Sequence, residues 1–219
     1  MPSDKSLLLW HNTLGNTTTM ENNSNYEYFS GRTLSQLDYL EEKLDFRLIN
    51  KTLEFGAGNG ELSSALKQKY NIETTAIDVS EESIDFLKKN HFIDRAERFI
   101  PEGVSYDLII YSHILHLTNN LPEHLNKIEN SLLNSGGYLF IETPNITNEY
   151  FENVDEDAPY IWFLNKKVIE YIVVRGLFST CDVSYFGPTW KDFKKNGHEK
   201  HYCFSNSDNA IFMRSVLKK

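Results

Sequence analysis

Apolar residues recur along this chain with two different spacings. Short runs bounded by turn-forming residues occur in "KTLEFG", "ETTAIDVS", "YDLIIYS", "YLFIETPN", "CDVSYFG" and "NAIFMRSVL", and each predicts a strand. A less regular run around "HFID" predicts one more short strand. Helical spacing lies between them. Leu34, Leu37, Leu40 and Leu44 share one face of "TLSQLDYLEEKLDF", and Leu62, Ala65, Leu66 and Tyr70 share one face of the stretch after "LEFGAGNGE". "EESIDFLKKN" predicts a helix with Ser80 as its N-cap. "LPEHLNKIENSLLNSGG" predicts another, with Pro122 in its first turn and Gly136 or Gly137 at its stop. "NKKVIEYIVVRG" predicts a helix capped by Asn165 and ended at Gly176.

Strands alternating with helices predict a mostly parallel, doubly wound sheet. Ligands of such sheets sit outside the carboxyl ends of the strands. The glycine loop, Asp78 and the residues after "YDLIIYS" all fall at predicted carboxyl ends and are expected to converge in one cleft.

The loop "LEFGAGNGE" carries Gly56, Gly58 and Gly60 at alternate positions. Glycine is costly inside regular structure, so this spacing predicts a tight turn or a close approach of backbone to a ligand. A dinucleotide-binding loop reads G-x-G-x-x-G, with its last glycine letting a pyrophosphate rest on the helix start. Here Glu61 occupies that place, and its carboxylate would repel a pyrophosphate. The pattern is instead E-x-G-x-G-x-G, from Glu54 to Gly60.

This pattern resembles motif I of the class I S-adenosylmethionine-dependent methyltransferases. The resemblance extends along the chain in order. "AIDVSEESIDFLKK" is similar to the family's second strand and following helix, "YDLIIYSHILHLTN" to its fourth strand, and "LLNSGGYLFIETPN" to its fifth. "IWFLNKKVIEYIVVRGLFSTCDVSYF" resembles the late helix and sixth strand of the ubiquinone-biosynthesis type of O-methyltransferase. The similarity covers about residues 50–186, with a seventh strand at 209–217.

The resemblance implies a Rossmann-like three-layer α/β sandwich, with seven mostly parallel strands and an antiparallel last one. It implies S-adenosyl-L-methionine as cofactor and S-adenosyl-L-homocysteine as product. Gly56, Ala57, Gly58 and Gly60 would form the cofactor loop, and Glu54 would hold the amino end of the methionine moiety. Asp78 would grip the ribose hydroxyls, Val79 and Asp94 would lie by the adenine, and Tyr111 would join this cofactor set. Residues 1–49 would form a lid over the site, with Tyr28 and Arg32 contacting the acceptor. Residues 50–219 would form the core, with 187–208 shaping the acceptor pocket alongside Trp162.

The bland readings are specific too. Asp78 is also a helix cap by sequence, Tyr111 and Trp162 also core aromatics, and Tyr28 and Arg32 also solvated surface. Many relatives carry Glu where this chain has His113 and His116, in "SHILHL". A hydroxyl acceptor must lose a proton, and histidine is the side chain suited to take it near neutral pH. His113 is therefore the first candidate base and His116 the second. No carboxylate completes a His-x-x-His metal site locally, so no metal is expected.

Composition narrows the acceptor. The 219 residues carry a net charge of −9, without a dense basic stripe, so nucleic acid is not the expected partner. Cys181 and Cys203 form neither a disulfide framework nor a zinc motif. No apolar run reaches spanning length, and "MPSDKSLLLWHN" lacks a signal-peptide pattern. A cytoplasmic monomer or homodimer acting on a small metabolite is expected. The acceptor atom is expected to be oxygen, in a sugar derivative, a phosphorylated intermediate or a secondary metabolite. Two alternatives are a non-catalytic S-adenosylmethionine-binding regulator or scaffold and, opposed by Glu61, an NAD-dependent oxidoreductase.

Overall fold

The computed structural model describes residues 26–89, 92–147, 149–150, 162, 164–189, 191–192 and 204–219. The arm 1–25 and most of 187–208 lie outside the described residues. Eight strands make up a mixed sheet. The chain divides into two compact units, one ending at Ile110 and one starting at Tyr111.

The first unit opens with α1, Tyr26–Lys43. Leu37, Leu40 and Leu44 are buried as their spacing predicts, but Leu34 is 60% exposed, so the apolar face begins one turn later. Then come β1 (Lys51–Phe55), α2 (Glu61–Tyr70), β2 (Glu73–Ile77), α3 (Glu81–Lys89), β3 (Arg95–Glu97) and β4 (Tyr106–Ser112), whose last two residues belong to the second unit. Their order is β3-β2-β1-β4. β1 and β2 are parallel with Phe55 opposite Ile77, and β2 and β3 are parallel with Ile77 opposite Glu97. Ser80 caps α3, its hydroxyl accepting from the Ser83 N–H at 3.2 Å. The third strand starts just after "HFID" rather than within it. Ala57, Ala76, Ile84, Leu87, Ile93 and Ala96 form a core cluster beneath the glycine loop.

The second unit contains α4 (Leu121–Lys127), β5 (Leu133–Pro144), α5 (Lys166–Val174), β6 (Thr180–Thr189), β7 (Phe204–Ser205) and β8 (Ala210–Lys218). Its order is β5-β8-β6-β7. β8 runs antiparallel to both β5 and β6, as expected of the last strand. β7 is the strand beyond the seven expected, a two-residue pairing with Tyr185 and Phe186. The helix predicted to reach Gly136 stops earlier. Its end widens into one π turn, Ile128–Leu132, and the chain is extended from Leu133. The Lys219 ammonium donates to the carbonyls of Glu129 and Leu133, which a continuing helix would have used itself. Asn165 caps α5 as predicted, accepting from the Val168 N–H at 3.2 Å.

Candidate active site

The glycine loop leaves β1 and enters α2 through left-handed backbone. Gly56, Gly58 and Gly60 have φ of 62°, 56° and 72°. The Ala57 N–H donates to the Ile77 carbonyl at 3.0 Å, tying the loop to the end of β2. Two of the glycines serve different needs. A Cβ on Gly60 would stand 2.5 Å from Leu87 Cδ2, so this glycine lets the loop pack on α3. A Cβ on Gly58 would meet nothing within 4 Å. That open cradle is where backbone can approach a ligand.

Asp78 follows β2 at its carboxyl end. Its Oδ2 accepts from the Gly58 N–H and its Oδ1 from the Ser80 N–H, each at 2.9 Å. The carboxylate thus ties the glycine loop to the turn before α3, whose cap is Ser80. Val79 follows, half-buried.

Glu54 is 5% exposed near the end of β1. Its Oε2 accepts from the Ser63 hydroxyl at 2.6 Å and the Ser63 N–H at 3.2 Å. Burial pushes its carboxyl up to about 7, against the Ser63 hydrogen bonds and the positive charge of Arg32, which lower it. Arg32 on α1 is thus electrostatically coupled to Glu54. Beside it, the Thr33 hydroxyl donates to Glu61 at 2.9 Å, and Glu61 also accepts from Asn59 Nδ2 at 3.0 Å. This fastens α1 to the start of α2 and keeps a carboxylate at that helix terminus. Tyr28 lies on α1, and its side chain is outside the described residues.

Two expectations are corrected by position. Asp94 precedes β3, so it stands at the amino end of the sheet. Its carboxylate accepts from the Thr74 N–H at 2.8 Å and the Lys67 ammonium at 2.9 Å, fixing the start of β2. The carboxyl end of β3 is Glu97. Tyr111 is fully buried and points at α4, where its hydroxyl shares a 2.5 Å hydrogen bond with His124 Nε2. Burial raises its phenol well above the ordinary value and lowers His124 to about 4.

In the second unit the candidate base stands on unusual backbone. His113 has φ of 58°, a left-handed conformation uncommon without glycine. Its N–H donates to the Glu142 carbonyl at 2.8 Å. Its ring Nε2 lies 3.0 Å from Glu142 Oε1, off the line that a hydrogen bond needs. The ring packs edge-on against Phe212 at 4.7 Å and His116 at 6.4 Å. Glu142 is itself fully buried, its Oε2 accepting from Arg214 Nε at 2.5 Å. The Arg214 guanidinium lies 4.0 Å over the Phe186 ring.

His116 is 3% exposed, with Nδ1 3.2 Å from the Thr143 hydroxyl. Burial first, then the charge of His113, lower it to about 3, so it is neutral at ordinary pH. Trp162 is anchored to the same turn, its N–H donating to the His116 carbonyl at 2.9 Å and its indole to the Thr118 carbonyl at 2.6 Å. Among the described residues, no group of three His, Cys, Asp or Glu is placed to hold a metal.

Sequence reasoning missed Glu142 and Arg214. Their signal was available: one acid and one base inside the strongly apolar runs "YLFIETPN" and "AIFMRSVL". Buried charges of opposite sign in two strands ask to be paired.

Fold and loop define a class I S-adenosylmethionine-dependent methyltransferase. The chain belongs to the methyltransferase domain family, whose model matches residues 18–181. It is 27% identical over 228 residues to probable polyketide synthase 34 of Dictyostelium discoideum, covering 90% of this chain but only 7% of that protein. It is 25% identical over 166 residues to the ubiquinone biosynthesis O-methyltransferase of Actinobacillus pleuropneumoniae, covering 68% of this chain and 70% of the relative. Among solved structures, a SAM-dependent methyltransferase from Archaeoglobus fulgidus shares the fold at a TM-score of 0.59 and 17% identity, over 89% of this chain and 100% of that one. The plantazolicin methyltransferase BpumL, solved with S-adenosylhomocysteine, shares it at 0.59 and 15%, over 99% and 95%.

Proposed function

We propose that this chain transfers a methyl group from S-adenosylmethionine to an oxygen of a small metabolite, with His113 as the base. The cofactor supplies an electrophilic methyl on a sulfonium, so the protein's tasks are alignment, exclusion of water and removal of the acceptor's proton. The observation that carries the reading is His113 itself. A histidine held in left-handed backbone, with its ring beside a buried acid, carries strain that a plain turn does not need. An amine acceptor would call for less base assistance. The decisive experiment is a screen of hydroxyl-bearing acceptors for S-adenosylhomocysteine formation, led by phenols and polyketide-type hydroxyls because of the relatives above. A panel that yields no product with the folded, cofactor-binding protein favours the alternative, a non-catalytic binder of the same cofactor.

The first unit's residues fit the cofactor. Gly58 offers the open approach, Asp78 the ribose hydroxyls' acceptor, and Glu54 with Arg32 opposite charges for the amino-acid end. Glu61 at the α2 start opposes a pyrophosphate. Calorimetry is expected to give micromolar binding of S-adenosylhomocysteine, about −8 kcal/mol, and no comparable binding of NAD. Glu54 sharpens the test. Its carboxyl sits at about 7 without a ligand, and a cofactor ammonium beside it favours the ionised form. Binding near pH 6.5 should therefore release protons, seen as an enthalpy that varies with buffer, and the release should vanish well above pH 7. Tight NAD binding without an S-adenosylhomocysteine signal would overturn the cofactor assignment.

Asp78→Asn is expected to weaken cofactor binding by about 1.5–3 kcal/mol, the range for hydrogen bonds to charged groups. Asn accepts through only one oxygen, and its amide would face an N–H of Gly58 or Ser80. Unchanged affinity in a folded variant would move the ribose site elsewhere.

A further inference from the structure

We propose that Glu142, pinned by Arg214, is the positioning residue for His113, orienting its ring and balancing its charge while the ring carries the acceptor's proton. The inference rests on the reading of His113 as base and extends it to two residues on other strands.

Glu142 holds His113 at two points: its carbonyl accepts the His113 N–H at 2.8 Å, and its Oε1 lies 3.0 Å from Nε2. The Ser112 hydroxyl approaches the same oxygen at 3.4 Å. The other oxygen is committed to Arg214 at 2.5 Å, with the guanidinium fixed over Phe186. One carboxylate therefore has one oxygen on a permanent cation and the other between the Ser112 hydroxyl and the imidazole. Among the described residues, His113 faces His116 on the turn after β4, Glu142 on β5 and Phe212 on β8, and Arg214 of β8 pairs with the same Glu142. With His116 neutral at ordinary pH, Glu142 is the carboxylate that faces the ring.

Nε2 stands 3.0 Å from the carboxylate but outside hydrogen-bonding geometry, so Glu142 acts on the ring through charge while the ring takes the acceptor's hydroxyl proton. The acceptor oxygen then carries the electron pair that forms the new bond to the methyl. The imidazolium's charge faces Glu142 until the ring returns its proton to water.

A competing explanation is purely structural. Glu142 and Arg214 are cross-strand partners in the β5–β8 ladder, and their pairing alone would fix that register. The two are separated by the His113 titration, followed by NMR on full-length, ring-labelled protein saturated with S-adenosylhomocysteine. Glu142→Gln keeps the side chain's size and an accepting oxygen but removes its charge. The expected result is a His113 midpoint lower by at least about one pH unit, a tenfold loss of proton affinity. An unchanged midpoint in the folded variant would overturn the proposal. If the variant does not fold, wild type decides: the Glu142 side-chain carboxyl 13C signal must inflect at the His113 midpoint, and a flat signal overturns it. With an acceptor in hand, Glu142→Gln should lower kcat, leave KM for S-adenosylmethionine in place and move the acid limb of the pH profile to lower pH. A shifted midpoint without turnover on any acceptor would leave the positioning role standing and sink the transferase reading alone.

Discussion

His113→Ala is expected to lower turnover by on the order of 10²–10⁴-fold, the usual contribution of a positioned base. Affinity for S-adenosylhomocysteine should barely change, because the proposed cofactor contacts are Glu54, Gly58 and Asp78. Wild-type activity should fall as pH drops through the imidazole's titration, since the protonated ring cannot accept. The hypothesis comes from the ring's place 3.0 Å from Glu142 and its left-handed backbone. The check is steady-state kinetics on an acceptor found by the screen, with calorimetry on the same variant. Near-normal turnover would mean alignment alone drives the reaction, or that His116 stands in. His116 makes that second outcome testable, because its ring is neutral at working pH and 6.4 Å from His113. A loss seen only in the double variant would assign the role to His116, whereas persistence in both leaves proximity as the mechanism.

Arg214→Met is expected to destabilise the fold by about 3–5 kcal/mol, because it strands the Glu142 carboxylate without its cation. Both side chains are essentially inaccessible, at 0% and 1% exposure, so water cannot take the guanidinium's place. The loss should depend on pH. A carboxyl buried without its partner binds a proton more readily folded than unfolded, so the variant's deficit should shrink as pH falls and grow as it rises. Adding Glu142→Leu should recover most of the stability, as an apolar pair replaces the ionic one. The double variant should still have low activity, because His113 has lost its carboxylate. Urea unfolding at several pH values measures the first part and turnover the second. A variant as stable as wild type at pH 8 would show that the pair does not hold the β5–β8 ladder.

Much of this was legible along the chain because its causes are local. Period-two and helical spacings located the strands and helices. The alternate glycines announced left-handed backbone, and Gly56, Gly58 and Gly60 all adopt it. Ser80 and Asn165 declared their caps through short polar side chains at helix starts. Asp78 could be placed because a strand's carboxyl end is a position in sequence as well as in space. Glu54, Gly58 and Asp78, the proposed cofactor residues, are legible for the same local reasons.

Other features depended on which face and which end of a strand a residue occupies. "YDLIIYS" is apolar throughout, so nothing in it says that Tyr111 turns to His124. Asp94 lies three residues before the carboxyl end of β3, a displacement that moves it to the opposite edge of the sheet, where Thr74 and Lys67 hold it. Glu142 and Arg214 meet across 72 residues only because β8 runs antiparallel to β5 in one register. A slip of a single residue would turn Arg214 to the other face. Local propensity therefore determined the elements and the glycine loop, while long-range strand pairing decided which buried charge stands beside His113.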